Sequence, residues 1–362
     1  MARTVIEGFD TRTSILSGTS SIQNTVARNS GYALRSNPTT SGTGFASVYT
    51  ANNTVRLANI SFNNYFRFYF HYLTKPLSGY EPFFVLQNGV GVNRAFLVLG
   101  SDGKISLLDS TANLIVTGNT VLQPSTWYRI EIKGQNSATG VATLLINGTT
   151  EFSVTGNFTT SNAGFAMLGK ATNINSQSVD FYYDDFSIDN STWCGEGFIE
   201  ALMPTGNGGA AGFTTGTNLS DYQEIDDTPS DTDTTYVRTV GASIASYSHG
   251  AAKSNPIKAV RTGSWAKLEA GSASYWTGVR SAGNNLFSGS TATPDSGAYS
   301  LHANILNSLP NLASGAPWTK EGLDACEIAI QQAGTGTVRV TQAFLEVEYG
   351  SNKGAGSLMG VG

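Results

Sequence analysis

The sequence predicts an all-β protein made of two sandwich domains. Almost every periodic segment alternates apolar and polar side chains with a period of two, as half-buried strands do. These segments are short, and turns rich in Gly, Asn and Asp separate them. No segment longer than about ten residues has a helical period. With 362 residues, the chain is long enough for two domains of ordinary size.

The first predicted domain covers residues 1–190. Alternation is clear in NYFRFYFHYL, in FFVLQNGVGVNRAFLVLGSDGKISLLD and in SVDFYYDDFSID. In TWYRIEIKG, Ile130 lies on the apolar face, which we expect in the core, and Glu131 lies on the polar face, which we expect in solvent. Asn147-Gly148 then gives a hairpin turn signal.

The remaining chain divides into a linker, a second sandwich and a tail. Residues 191–217 combine many glycines with no clear alternation, which predicts a glycine-rich linker. Alternation resumes over 218–350, in segments such as NPIKAVRTGSWAKLEAG and TVRVTQAFLEVEYG, with one short helix candidate in TKEGLDACEI. In the last strand we expect Glu346 and Glu348 on a solvated face. Residues 351–362 are predicted to be a flexible tail.

Composition excludes several classes of function. Charged residues make up 13% of the chain and the net charge is −5, with no basic stripe, so nucleic acid is not an expected partner. No run approaches the ~20 apolar residues that span a bilayer. The start, MARTVIEGFD, lacks the apolar core of a signal peptide, so we expect Cys194 and Cys326 to be free thiols in a reducing cytoplasm. A disulfide that bridges the two halves is the alternative.

No catalytic residues are assigned from the sequence. The three histidines, His71, His249 and His302, are far apart and lack metal-ligand spacing. Glu346-Val347-Glu348 places two carboxylates on one strand face with Cα atoms about 6.8 Å apart. That spacing does not exclude the carboxyl separation of about 5–5.5 Å that retaining glycosidases use. The solvated last strand nevertheless favours a structural interpretation.

Two acidic clusters are the candidates for a metal site. One contains Asp184 and Asp185 at the end of a strand, and the other contains Asp231 and Asp233 in an acidic loop. Calcium binds six to eight oxygen ligands, often from aspartates at odd spacings. Turn and capping chemistry explains the same residues without a metal. No other cofactor is expected.

Aromatic residues are the candidates for sugar binding, because sugar rings stack on aromatic faces. A platform is conceivable from Tyr69, Tyr72, Tyr80, Tyr182, Tyr275 and Trp276. Most aromatic side chains of a sandwich are expected in its core.

The first half resembles the concanavalin A-like, laminin G-like jelly roll. The motifs that carry this resemblance are STWYRIEIKG, VATLLINGT and VDFYYDDFSID, together with VIEGFD and ARNSGYALRS near the start. The resemblance covers roughly residues 1–190 and implies the fold rather than a function.

The second half resembles a β-sandwich of bacteriophage virion and minor tail proteins. The residues concerned are DYQEIDDTPSDTDTTYVRT, KAVRTGSWAKLEAGSASY, APWTKEGLDACEIAIQ and VRVTQAFLEVEYG. The resemblance covers roughly residues 218–350. It implies a structural or adhesion component of a virus particle.

Together the resemblances imply a non-catalytic bacteriophage structural protein, tail-associated or decorating the capsid and assembled in the host cytoplasm. The second sandwich is expected to dock on other virion proteins, and the jelly roll to project outward and contact host surface glycans. A homo-oligomer, specifically a trimer, is expected. The alternatives are a glycan-binding module outside any particle and a polysaccharide-degrading enzyme.

Overall fold

A computed structural model gives the structure of the protein. It describes residues 3–10, 15–29, 31–39, 42–48, 63–88, 93–135, 137–158, 164–172, 174–216, 219–287, 293–306 and 316–351. The tail predicted over 351–362 lies outside this set apart from Ser351. Within the described ranges, no helix has the length and apolar character needed to cross a membrane.

The first half of the chain folds into short antiparallel strands. In chain order these are β1 (Arg3–Glu7), β2 (Ile15–Gly18), β3 (Ser20–Gln23), β4 (Ala33–Ser36), β5 (Gly44–Val48), β6 (Tyr65–Thr74), β7 (Tyr80–Asn88), β8 (Asn93–Gly100), β9 (Lys104–Leu108), β10 (Leu114–Val121), β11 (Tyr128–Lys133), β12 (Gly140–Ile146), β13 (Thr149–Gly156), β14 (Gly164–Lys170) and β15 (Asp180–Asp189).

These strands form two facing sheets with crossing connections. One sheet has the order β13-β12-β11-β6-β15-β4-β3, with β1 also paired to β15, and the other has the order β10-β9-β8-β7-β14-β5-β2. Phe68 and Phe70 of β6 and Ile130 of β11 point between the sheets and are fully buried. The predicted jelly-roll sandwich is confirmed. The prediction that Ile130 of the hairpin faces the core is confirmed as well.

The second half is also almost entirely β structure. Its strands are β16 (Gly197–Leu202), β17 (Pro204–Ala211), β18 (Thr214–Thr215), β19 (Val237–Val240), β20 (Ser243–His249), β21 (Ile257–Ala270), β22 (Ala273–Ser281), β23 (Asn284–Phe287), β24 (Ser300–Leu306), β25 (Cys326–Gly334) and β26 (Thr337–Gly350). A 3₁₀ turn covers Asp221–Glu224, and the one α-helix among the described residues, α1, covers Lys320–Asp324 inside the predicted helical segment.

The second half forms another two-sheet sandwich. One sheet has the order β18-β19-β26-β21-β24, with β16 also paired to β26, and the other has the order β17-β20-β25-β22-β23. Val340, Leu345 and Val347 of β26 and Ile328 of β25 are fully buried in the core between these sheets. The predicted succession of a jelly roll and a second β-sandwich is therefore confirmed.

The predicted linker is structured. Residues 197–211 form β16 and β17, which pair with β26 and β20 respectively. The glycines that suggested a flexible segment instead allow close approach of backbones: a Cβ at Gly208 would lie 2.7 Å from the carbonyl carbon of Ser246. The prediction of a linker over 191–217 is wrong for this stretch, which belongs to the second sandwich.

The outer face of β26 packs against the jelly roll instead of facing water. Glu346 and Glu348, expected on a solvated face, are both fully buried. Arg3 donates to both oxygens of Glu348, with Nε 2.6 Å from Oε2 and Nη2 3.0 Å from Oε1. Arg67 of β6 donates to Oε1 at 2.7 Å, so two jelly-roll guanidiniums pair with one carboxylate of the second sandwich.

The electrostatics of Glu348 follow from these pairs. Burial alone would raise its pKa, and the Arg67 and Arg3 guanidiniums overcome this effect and hold the pKa below its ordinary value. Arg3 also bridges to Asp189 at 2.6 Å. The cluster thus contains ionised groups of both signs, out of water, at the contact between the sandwiches.

A second buried cluster lies beside the first. Arg261 of β21 contacts Glu346 and, at 3.1 Å, Glu7 of the jelly roll. Burial and the neighbouring Glu7 carboxylate raise the pKa of Glu346 to about 8. At neutral pH Glu346 therefore carries its proton, which reduces the repulsion between two carboxylates that share one guanidinium.

The outer face of the hairpin is covered as well. Glu131 is 1% exposed, pairs with Arg129 at 2.9 Å and accepts a hydrogen bond from the backbone of Gly195 at 2.7 Å. The expectation that Glu131 faces solvent is wrong, because the chain between the two sandwiches packs over this face of β11.

Glu348→Gln should destabilise the protein by about 3–5 kcal/mol, the usual cost of removing one partner from a buried ion pair. Glutamine keeps the shape but leaves Arg3 and Arg67 without their shared anion. Urea denaturation of this variant and of the exposed Glu321→Gln control measures the effect. Equal free energies of unfolding for both variants would contradict the assignment.

Candidate functional site

An open cleft lies on the outer face of the second sandwich, beyond the part that the jelly roll covers. Its volume is about 490 Å³. The lining comes from the loop before β19, from β21 and from the segment before β24: Pro229, Ser230, Thr232, Asp233, Trp265, Lys267, Gly297, Ala298 and Tyr299. We call it the Trp265 cleft.

Trp265 contributes the aromatic surface of this cleft. It lies on β21 opposite Gln342 of β26 and Leu301 of β24, and it is half-buried. Beneath it is a small apolar cluster that contains Leu301, Phe344 and the partly buried Met203. A Cβ at Gly263 would lie 2.2 Å from Phe344 Cζ, so this glycine lets the phenylalanine ring lie across the strand. Trp265 thus packs on this cluster and remains partly exposed to the cleft.

A network of charged groups forms the polar wall. Lys267 Nζ donates to both oxygens of Asp233, at 2.7 and 2.6 Å. Tyr299 and Arg339 each donate to Asp233 Oδ1 at 3.0 Å. The hydrogen bonds from Lys267 lower the pKa of Asp233, so its carboxylate is ionised at neutral pH. Arg339 also holds Glu269, so the wall carries balanced charge with fixed donors and acceptors.

A second cleft of about 290 Å³ lies between the two sandwiches. We call it the interdomain cleft. The jelly roll supplies one wall. The other comes from β16, the residue after it, the acidic loop and the segment between β20 and β21. The lining residues are Asp10, Asn29, Gly31, Tyr32, Phe198, Ile199, Glu200, Ala201, Met203, Thr228 and Lys253.

Asp10 is the titratable group of most interest in the interdomain cleft. It accepts a hydrogen bond from the backbone of Tyr32 at 2.9 Å, and a Cβ at Gly31 would lie 1.8 Å from its Oδ1, so a side chain at position 31 would displace the Asp10 carboxylate. Burial raises the pKa of Asp10 to about 6, and the Asp185 and Glu200 carboxylates push it in the same direction. Asp10 therefore titrates close to neutral pH.

Asp184 and Asp185, the first pair of candidate metal ligands, already form an ion pair and hydrogen bonds within the protein. Asp185 pairs with Arg28 and accepts a hydrogen bond from Ile199 of β16 at 2.6 Å. Asp184 accepts from the backbone of Arg28 at 3.0 Å. Burial raises the pKa of Asp184 well above its ordinary value, which disfavours the ionised form that calcium needs. Asp185 thus joins the jelly roll to β16, and Asp184 fixes the backbone beside it.

Asp231 and Asp233, the second pair of candidate metal ligands, also form hydrogen bonds and an ion pair within the protein. Asp231 accepts hydrogen bonds from Thr235 and Thr341, and Asp233 forms the wall of the Trp265 cleft. Across the described ranges, no group of three or more His, Cys, Asp or Glu side chains is arranged to hold a metal ion. The prediction of calcium at these four aspartates thus finds no ligand set in the part of the chain that the structure describes.

The histidines are separate, as the sequence suggested. His71 packs between Trp127 and Tyr182 on the outer face of β6. His302 is buried against Tyr275, and burial lowers its pKa to about 4. Burial lowers the pKa of His71, and the Asp180 carboxylate opposes this shift without reversing it.

The aromatic platform suggested by the sequence is mostly core. Tyr69, Tyr72, Tyr182 and Tyr275 are buried, and only Tyr80 and Trp276 are half-buried. Sequence reasoning missed Trp265. The signal was present in SWAKLE, where Trp265 shares the polar face of the strand with Lys267 and Glu269.

Comparison with known proteins adds likenesses of fold. The sequence matches no family model and no curated protein. The cellulose-induced protein Cip1 aligns at 14% identity with 53% of this chain and 100% of its own, with a TM-score of 0.39. An endo-β-1,4-glucuronan lyase from the fungus Trichoderma reesei aligns at 11% identity, covering 52% of this chain and 96% of its own, with a TM-score of 0.40.

A third solved structure is a Bacillus subtilis protein of unknown function with a galectin-like fold. It aligns at 12% identity with 52% of this chain and 96% of its own, with a TM-score of 0.37. All three likenesses cover about half of the chain.

Asp10→Asn should flatten the pH dependence of stability. The pKa of Asp10 rises from 3.8 to about 6 on folding, so the native state binds this proton more tightly than the unfolded state. The associated stabilisation is full below about pH 4 and is lost as the pH rises through about 6. Its full size is about 3 kcal/mol, from the free energy of one pKa unit.

The measurement is urea denaturation of the wild type and the variant from pH 4.5 to 7.5. The variant should gain stability relative to the wild type across this range, while the exposed Asp102→Asn control should not. A difference between Asp10→Asn and wild type that stays constant with pH would rule out the titration of Asp10.

Proposed function

We propose that the chain is a non-catalytic glycan-binding protein and that the Trp265 cleft holds the sugar. This proposal rests on the half-buried Trp265, which lines the cleft together with Asp233, Lys267 and Tyr299. The apolar face of a sugar ring packs on an indole, and its hydroxyls exchange hydrogen bonds with a carboxylate, an ammonium and a phenol. Concave sites of this kind combine apolar walls with a few fixed polar groups.

The charges in the cleft favour binding over hydrolysis. A general acid requires a carboxyl whose pKa is raised toward neutral. The hydrogen bonds from Lys267 lower the pKa of Asp233, and those from Arg339 lower the pKa of Glu269. Glu346 and Glu348, the pair considered for glycoside hydrolysis, lie buried under the jelly roll, out of reach of a polysaccharide.

A place in a bacteriophage particle is the second candidate. It rests on the sequence resemblance, and the loop with the motif DTPSDTDTTY supplies Pro229 and Asp233 to the cleft wall. If the chain belongs to a particle and the Trp265 cleft binds the glycan, the second sandwich faces the host. This orientation is opposite to the one expected from the resemblance. Other virion proteins, a homo-oligomer and a location in the particle remain predictions. Mass spectrometry of purified particles from the source tests them, and absence of the chain would remove this candidate.

Trp265→Ala should reduce glycan affinity at least about tenfold, equivalent to about 1.4 kcal/mol, because the stacking surface is lost. A glycan array identifies ligands, and isothermal titration calorimetry measures the affinity. The matched control is Trp276→Ala, a half-buried tryptophan on a strand of the opposite sheet. Unchanged binding by Trp265→Ala, or no glycan bound by the wild type, would contradict the proposal.

A further inference from the structure

Two carboxyl groups share one guanidinium where the jelly roll meets the second sandwich. Arg261 Nη1 contacts Glu346 Oε2 of its own sandwich at 2.5 Å and Glu7 Oε2 of the jelly roll at 3.1 Å. The other terminal nitrogen of Arg261, Nη2, is buried and donates to no residue that the structure describes. Both carboxyls therefore depend on a single nitrogen. We call these three side chains the Arg261 site.

The surroundings of the Arg261 site keep water out. Glu346 is fully buried, and its two partners are each 4% exposed. Ile6 of β1, Ile199 of β16 and Ala259 of β21 form an apolar cluster at the same contact, and the β16 residue paired with Glu346 is Ala201. A carboxyl in such a place needs a cation of its own, or it keeps a proton.

The other cations at the contact between the sandwiches already have partners. Arg3 and Arg67 bind Glu348, two residues further along β26. Lys258 of β21 donates to two backbone carbonyls, and Arg28 pairs with an aspartate of the jelly roll. Among the described residues, then, the two carboxyls of the Arg261 site have one cation between them.

A proton removes the excess negative charge of the Arg261 site. Burial raises the pKa of Glu346 from its ordinary value of 4.5 to about 8, and the Glu7 carboxylate adds to this shift while Arg261 opposes it. When the contact opens, water reaches the carboxyl and its pKa returns toward the ordinary value. The closed contact therefore binds a proton that the open contact releases.

The Arg261 site fastens the C-terminal end of β1. The backbone of Gly8 donates to Glu346 Oε1 at 3.3 Å, and Arg261 donates to the carbonyl oxygen of Ile6 at 3.1 Å. Asp10, two residues after Gly8, lines the interdomain cleft. Release of β1 from the Arg261 site would therefore loosen one wall of that cleft.

We propose that the Arg261 site is a pH-sensitive latch between the two sandwiches. With one proton on its two carboxyls, it holds the end of β1 against β21 and β26. At alkaline pH it loses that proton, and β1 is released while the core of each sandwich stays folded. The latch is independent of the proposed sugar binding, because none of its three side chains lines the Trp265 cleft.

The direction of the pH effect follows from proton linkage. Because the pKa of Glu346 is raised in the closed contact, the resulting stabilisation is complete below about pH 4.5 and is lost as the pH rises through about 8. Within this range, opening that releases one proton becomes about tenfold more frequent per pH unit. Asp10, whose pKa is about 6, contributes mainly below that pH.

Native-state hydrogen exchange of the Gly8 amide measures the opening, because this amide donates to Glu346. Its protection, corrected for the intrinsic exchange rate, should fall at least about tenfold between pH 6.5 and 8.5. The amides of β11, in the core sheet of the jelly roll, are the internal reference. Their protection should change less than about twofold, because local opening at β1 leaves that sheet intact.

Two variants test whether the proton belongs to the Arg261 site. Glu346→Gln and Glu7→Gln each leave one carboxylate for one guanidinium, so neither variant needs a proton there. In both, the protection of the Gly8 amide should change less than about twofold between pH 6.5 and 8.5. Glu321→Gln, exposed and in α1, is the matched control and should show the wild-type fall. Thermal denaturation at pH 6.5 checks that each variant is folded.

Three outcomes would overturn the latch. The first is a Gly8 amide whose protection in the wild type does not change with pH, or falls equally in both glutamine variants. The second is a fall that the β11 amides match, since it would report unfolding of the whole jelly roll. The third is that both glutamine variants are unfolded at pH 6.5, because the site would then require both carboxylates.

Discussion

Two carboxylates on the last strand, Glu346 and Glu348, constrain how the two sandwiches fit together. Both are fully buried: Glu348 pairs with Arg3 and Arg67 of the jelly roll, and Glu346 pairs with Arg261 of the second sandwich, which also pairs with Glu7 of the jelly roll. A buried charge without a partner costs several kcal/mol. The ionised Glu348, Arg3 and Arg67 therefore favour the docked arrangement in which each finds its partner, even though such pairs add little net stability over an apolar contact.

Alternation in the sequence was enough to predict the strands, but it says nothing about what covers their polar faces. Ile130 is in the core as predicted, since a period of two places it there whatever lies outside. Glu131, Glu346 and Glu348 looked solvated because charged side chains on alternate positions usually are. Each is instead buried by chain that is distant in sequence and carries the complementary charge or donor.

For the predicted linker and for the Trp265 cleft, too, the sequence pattern did not indicate which segments pack together in the fold. The glycine-rich sequence of β17 is typical of a flexible segment. At Gly208, however, glycine is required because the backbone of the neighbouring strand lies too close for a side chain. Trp265 could be found from its place on the polar face of β21. The rest of the site could not, because Asp233 and Tyr299 reach Trp265 only through the fold, and the interdomain cleft exists only once the sandwiches dock.

The buried ion pairs make the two sandwiches a single cooperative unit, on which the interdomain cleft depends. Differential scanning calorimetry of the full chain measures this cooperativity. We expect one transition whose calorimetric enthalpy equals its van't Hoff enthalpy. Two separate transitions, each with the enthalpy of one sandwich, would contradict it.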